Sequence, residues 1–182
     1  MAVICGPEDP AESDQFRPEH THAIIESLRR KYDYTVIDTL SNFDEHNLTA
    51  LDMADRILLV TDTPVPSVRN TQRCLKVFTK LNYDPEKVLL VVNRLDKSVG
   101  AGQKELQQAF QMPVNVFIPN EFAIVMGAVD AGQPVAETTE KSAVVAAVKQ
   151  LVQSLVGEAP EAPQRQHWLK KFSLAGMIGS KK

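Results

Sequence analysis

The chain has 182 residues, 43% hydrophobic and 24% charged, with a formal net charge of -3. That length fits one domain with a tail, and a core of useful size needs neither disulfide nor metal to hold it. The near-balanced charge excludes a generally basic nucleic-acid binder and an acidic disordered segment, and none of the 8 glycines precedes a lysine, so no G-x-x-x-x-G-K-[ST] phosphate loop stands in this sequence.

In chain order, short β-branched apolar runs alternate with helical patterns. Ala2 to Cys5 is predicted as a strand, closed by Gly6-Pro7 and an acidic loop to Arg17. Pro18 at a first-turn position opens a helix through Ala23, Ile24, Ile25 and Leu28, with Arg29, Arg30 and Lys31 in its last turn. Tyr34 to Asp38 is a second strand, Thr39 to Asp44 a polar loop, and Leu48, Leu51, Met53 and Ala54 mark a helix. Arg56 to Thr61 is nearly continuous apolar, as in a strand covered on both faces. After the turn Asp62 to Pro66, Ser67 is expected to cap a helix bearing Leu75, Phe78 and Leu81.

Lys87 to Asn93 is another buried-type strand, followed by a Gly100/Gly102 loop and a helix from Gln103 to Phe110. The last strand, Val114 to Ile118, turns at Pro119-Asn120 into a helix from Glu121 to Ala131, stopped by Gly132. Ser142 to Val156 is the final helix. About five strands alternating with helices imply an α/β fold with a doubly wound, mostly parallel sheet over residues 1–157. Residues 158–164 are a linker and 165–182 a basic amphipathic tail.

Cys5 and Cys74 are too few for a disulfide framework and lie in apolar stretches, so both are expected to be buried, inert thiols. The four histidines show no ligand spacing. No basic leader with a long apolar run is visible, and the expectation is a soluble, cytoplasmic protein.

Ligands of open α/β sheets bind beyond the carboxyl ends of the strands. Asp38 ends a run of apolar strand residues, the pattern by which nucleotide hydrolases hold Mg²⁺; a carboxylate that caps the next loop accounts for it equally well. Asn93-Arg94 follows an apolar strand, where an amide can read a base edge and a guanidinium can stack on it. On its own, that pair reads more readily as a solvated loop start. Asp62, beside Thr63-Pro64, organises a turn.

Several segments taken in order carry a resemblance. They are Gly6-Pro7-Glu8, Pro18-Glu19-His20, Tyr32-Asp33-Tyr34-Thr35-Val36-Ile37-Asp38, and Leu51-Asp52-Met53-Ala54-Asp55 before Ile57-Leu58-Leu59-Val60-Thr61. Pro66-Ser67-Val68-Arg69-Asn70, Val91-Val92-Asn93-Arg94, Ile118-Pro119-Asn120 and Gly132-Gln133-Pro134-Val135 continue the set. Over residues 1–157 the chain resembles the C-terminal two-thirds of a MinD/ParA-type P-loop ATPase, most closely the CpaE/TadZ branch linked to Flp-type pilus assembly. The resemblance implies ATP and Mg²⁺ as ligands, with Asp38 as the catalytic and metal-assisting carboxylate at the Walker B strand end. It places Asn93 and Arg94 at the adenine, and Pro119 with Asn120 on the other side of the base.

Two departures qualify that expectation. Thr39 to Asp44 occupies the switch-like loop but reads Leu40-Ser41-Asn42-Phe43 where the family has D-x-P-P-G. The phosphate loop, whose amides and lysines supply most of the positioning and charge stabilisation in phosphoryl transfer, is missing from the sequence. Without its strand, a gap is expected between Tyr34–Asp38 and Arg56–Thr61, to be closed by the neighbours, by another chain, or by a longer polypeptide of which this is a truncated part.

The tail gathers Trp168, Leu169 and Phe172 on one side of a helix, with Lys170 and Lys171 able to reach anionic headgroups. The expected function is therefore a localisation or assembly factor for pilus biogenesis without efficient ATP hydrolysis, acting as a homodimer with pilus-assembly components. A peripheral place at the inner face of the cell membrane through the tail, and no nucleic-acid partner, complete the expectation. The alternative is the C-terminal part of an active ATPase. A receiver domain is set aside, because Cys5-Gly6 and Asn93-Arg94 supply neither its acidic pair nor its lysine.

Overall fold

The computed structural model describes residues 2–6, 16–96, 102–139 and 141–156. Its elements are helices α1 (Pro18–Lys31) and α2 (Glu45–Met53), strand β1 (Ile57–Thr61), helix α3 (Val65–Lys80) and strand β2 (Val88–Leu95). Helix α4 (Gln103–Phe110), strand β3 (Val116–Pro119) and helices α5 (Phe122–Asp130), α6 (Val135–Thr138) and α7 (Ala143–Val156) follow. The strands form one sheet in the order β1-β2-β3, with β2 and β3 parallel. Strands thus alternate with helices around a parallel ladder, the α/β architecture read from the sequence.

The chain divides into two compact units, Met1–Leu59 with Lys76–Leu89 and Val60–Leu75 with Leu90–Lys182. In the first, α1 begins with Pro18, whose missing N–H costs nothing there, and ends on Arg29, Arg30 and Lys31 as the sequence implies. It lies against α2, with Ile25 and Ala50 buried and Thr21 Oγ1 2.8 Å from His46 Nδ1. Asp44 caps α2 by accepting the Asn47 N–H at 2.8 Å. The Asn47 amide in turn donates to the Leu40 and Asn42 carbonyls and to the Asn42 side chain, so the polar loop hangs from the first turn of α2. Phe78 is the apolar centre, with Phe43 edge-on at 6.0 Å and Tyr83 at 5.6 Å.

In the second unit, α7 lies against β3 and buries Val145 and Ala147. Leu106 and Phe110 bury the inner side of α4, and Gln72 Nε2 of α3 donates to the Ala109 carbonyl at 2.7 Å. Asn115 closes the approach to β3: its backbone N–H donates to the Leu90 carbonyl, and its side-chain oxygen accepts the Leu90 N–H.

Five strands are expected from the sequence and three form among the described residues. Val88 to Val92 are buried on both faces, as their composition implies. Ala2–Cys5 and Tyr34–Asp38 form neither helix nor strand and join no ladder. Their apolar side chains face water, Val36 at 92% exposure. A strand exists only with a neighbour to accept its N–H groups, and these segments have none among the described residues. β1 also departs from expectation: Leu58 and Val60 are 39% and 57% exposed, so one of its faces is bare. Cys5 is exposed and Cys74 half-buried, and desolvation pushes the Cys74 thiol up; only the second matches a sheltered cysteine. α3 starts at Val65, ahead of the expected Ser67 cap, and the Ser67 carbonyl accepts the Thr71 hydroxyl within the helix.

Candidate functional site

Four of the residues singled out in the sequence come together at the carboxyl ends of β2 and β3. The ladder runs in even register at Val91 with Val116 and Val92 with Phe117, then breaks before Leu95 meets Pro119. β2 therefore spends one more residue than β3 over this stretch, a bulge formed by Asn93 and Arg94. Bulges re-aim side chains at strand ends and cost a local disruption of the ladder. Here the disruption is visible in Arg94, which holds φ 52, a left-handed backbone that a residue with a Cβ adopts only at a cost.

The half-buried Asn93 supports that turn. Its side-chain oxygen accepts the Arg94 N–H at 2.9 Å, which leaves the amide NH₂ as the free donor of the group. Arg94 is exposed. Opposite, the Asn120 N–H donates to the Leu95 carbonyl at 3.0 Å, so the β3 exit is tied to the end of β2. Pro119 and Asn120 thus flank the bulge, and a planar amide, a guanidinium and a proline ring share one sheet end.

Glu121, next in the chain, is a residue that sequence reading misses. Its carboxylate accepts from the Ser142 hydroxyl and from the Val144 N–H at 3.1 Å, at the start of α7. These bonds hold the Glu121 carboxyl below its ordinary value, the Ser142 hydroxyl being the larger cause. Ser142 is itself buried and caps α7 by accepting the Val144 N–H at 3.1 Å. No local pattern announces the pair, because its members stand 21 residues apart.

Asp38 belongs to the other compact unit, on the exposed, unpaired segment. Among the described residues no group of three or more His, Cys, Asp or Glu gathers as a metal site. Trp168, Leu169, Lys170, Lys171 and Phe172 lie outside the described residues. No helix among the described residues is long and apolar enough to cross a membrane.

Tested against a bound nucleotide, the site fits in part. The Asn93 amide, the Arg94 guanidinium, Pro119 and Asn120 suit the edge and face of a base. For the phosphates these residues offer neither a glycine-rich turn nor a lysine, so no chemical step at a phosphate follows from them.

The fold is the one seen in solved ATPases of MinD and ParA type. No family model matches the chain. The septum site-determining protein MinD of Thermotoga maritima is 22% identical over 130 residues, 69% of this chain and 48% of that protein, so the chain spans about half the length of this relative. A ParA family ATPase from Chlorobium tepidum superposes with a TM-score of 0.75 at 20% identity, over 84% of this chain and 63% of that one. MinD from Pyrococcus horikoshii, solved with Mg-ADP, gives 0.68 at 19% identity, over 82% and 60% of the two chains. MinD in a MinC:MinD complex from Aquifex aeolicus gives the same score and identity, over 82% and 63%.

Proposed function

We propose that the chain is a MinD/ParA-like localisation or assembly factor of the CpaE/TadZ type, serving Flp/type IV-like pilus biogenesis. It engages the base of ATP weakly and does not hydrolyse ATP efficiently by itself. The observation that supports this most is the bulged end of β2, where a non-glycine residue keeps a left-handed backbone beside Asn93. Such strain persists where the residue's side chain is put to use, here at a base-recognising position. In this reading Asp38 is what remains of the Mg²⁺ position, and homodimer formation and pilus-assembly partners carry the function. The tail, 165–182, serves for peripheral contact at the inner face of the cell membrane.

Titration with adenosine and with ATP·Mg²⁺ tests the reading. If only the base is held, the two bind with affinities within a few-fold of each other, and Asn93→Ala weakens both. Micromolar binding of ATP·Mg²⁺ with none of adenosine, or steady turnover by this chain, would overturn it.

A second reading has its own observation. Val36, Leu58 and Val60 are apolar strand-type residues left facing water, and they suit a neighbouring strand supplied from elsewhere. The chain would then be the C-terminal part of an active ATPase. Co-expression with a polypeptide carrying a family phosphate loop and its strand would restore ATP hydrolysis in that case; continued inactivity of a co-purified pair would dismiss it.

A further inference from the structure

Helix α3 carries Arg69, Arg73, Lys76 and Lys80 at four-, three- and four-residue spacing, and it holds no Asp or Glu along its length. At 3.6 residues per turn these cations fall within about 60° of one another, in a row about 16 Å long. All of them are exposed, while Thr71 and Phe78, on the opposite side of the helix, are buried. Their spacing is set by one continuous helix.

Like charges three and four residues apart repel, and a helix face that meets only water commonly alternates in sign. Helix α1 has the ordinary arrangement, with Arg30 paired to Glu26 at 3.2 Å and Arg29 to Asp55 at 3.1 Å. Among the described residues no ion pair reaches the row on α3. Arg73 Nη1 meets a neutral partner, Asn70 Oδ1 at 3.4 Å on the same helix.

We propose that this face docks an acidic helix of a partner protein, whose carboxylates repeat at the same four-, three- and four-residue spacing. Two helices advance equally per residue, so a matching row meets Arg69, Arg73, Lys76 and Lys80 in register. The arc that holds the cations offers no apolar side chain to enter a lipid interface and no aromatic ring to stack on a base. The chain's net charge of -3 also works against a long polyanion, whereas a short acidic segment meets only the local charge. The docking goes beyond the nucleotide reading and does not depend on it.

The probe is a fluorescein-labelled, Ala-based helical peptide with Glu at the matching spacing, titrated with the full chain and read by fluorescence anisotropy. A second peptide of identical composition spreads its Glu evenly round the helix. The matched peptide should bind about fivefold more tightly than the scattered one, and weaken as salt rises from about 50 to 300 mM. Arg73→Glu together with Lys76→Glu should cost the matched peptide about tenfold or more in affinity. Lys104→Glu together with Lys149→Glu makes the same change in net charge at exposed positions on α4 and α7, and should cost less than about twofold. Far-UV circular dichroism checks that each variant keeps its helices, and Arg69→Gln with Lys80→Gln, a milder change on the same face, should also weaken binding. No binding of the matched peptide, equal binding of the two peptides, or indifference to the α3 variants would overturn the proposal. Tighter binding of double-stranded DNA or of phosphatidylserine vesicles than of the matched peptide would give the face to nucleic acid or to lipid, and refutes the acidic helix equally.

Discussion

The Glu121 carboxylate accepts the hydroxyl proton of Ser142, which joins the exit of β3 to the first turn of α7 across 21 residues of chain. The next residue before Glu121 is Asn120, whose N–H is tied to Leu95. One carboxylate therefore anchors both the last helix and the turn that presents Pro119 and Asn120.

Ser142→Ala removes the cap of α7 and leaves Glu121 with backbone N–H groups alone as partners, those of Val144 and Ala143. We expect a loss of about 1 kcal/mol, read as a lower urea midpoint with unchanged slope. Glu121→Gln keeps an acceptor and should cost less than Glu121→Leu, which keeps none. Equal midpoints for all three variants and the parent would refute the anchoring role.

Acid sensitivity has two identified sources. The Asn47 N–H, its main cause, holds the Asp44 carboxyl low, and Ser142 does the same for Glu121. Both folded values lie below their unfolded ones, so their contribution is fully present above about pH 5. It is lost as pH falls through the ordinary carboxylate range towards the lowered folded values. Urea midpoints from pH 7 to pH 3 should fall for the parent and fall less for Glu121→Gln or Asp44→Asn.

At the alkaline end the sign reverses. The Tyr83 hydroxyl donates to Asp52 at 2.6 Å, and burial together with that carboxylate pushes its ionisation well up. The bond's contribution is present below about pH 10 and declines as pH rises above it, where the unfolded chain ionises first. Tyr83→Phe should cost about 0.5–1 kcal/mol at pH 7 and leave a flatter profile between pH 9 and 11.

Arg94→Gly separates backbone from side chain. Glycine adopts φ 52 without steric cost, so stability should hold or rise by up to about 1 kcal/mol while adenosine affinity falls. Arg94→Val, branched at Cβ, should lose both.

Burial sets the last contrast. Leu90 is fully buried in β2, and Leu90→Ala is expected to cost about 2–5 kcal/mol. Val36 faces water, and Val36→Lys should change stability by less than about 0.5 kcal/mol while raising solubility. A comparable loss at both positions would contradict the placement of Val36.

The helices were legible because their ends carry local chemistry. Pro18 opens α1, Arg29 to Lys31 close it, and Gly132 follows α5 with φ 62, a backbone suited to glycine. β2 was legible as an unbroken apolar run. Ala2–Cys5 and Tyr34–Asp38 have the same composition as strands, yet pairing is a property of the neighbour and not of the segment. The site was half legible: Asn93, Arg94, Pro119 and Asn120 could be placed at strand ends, but their adjacency depends on strand order. The left-handed residue, Arg94, is itself neither glycine nor asparagine, so its backbone goes unannounced, and the Glu121–Ser142 link spans too much chain for any local pattern.

The uneven ladder at the end of β2 has a consequence for how this chain tolerates change. Between Val92 and Leu95 the strand carries one residue more than β3, and that surplus is what lifts Asn93 and Arg94 out of the regular pleat. The length of this stretch, more than the identity of any side chain in it, decides what the sheet offers to solvent. Deleting a single residue there would let the two strands run in step, erasing the polar rim while leaving the buried run from Val88 to Val92 as it stands.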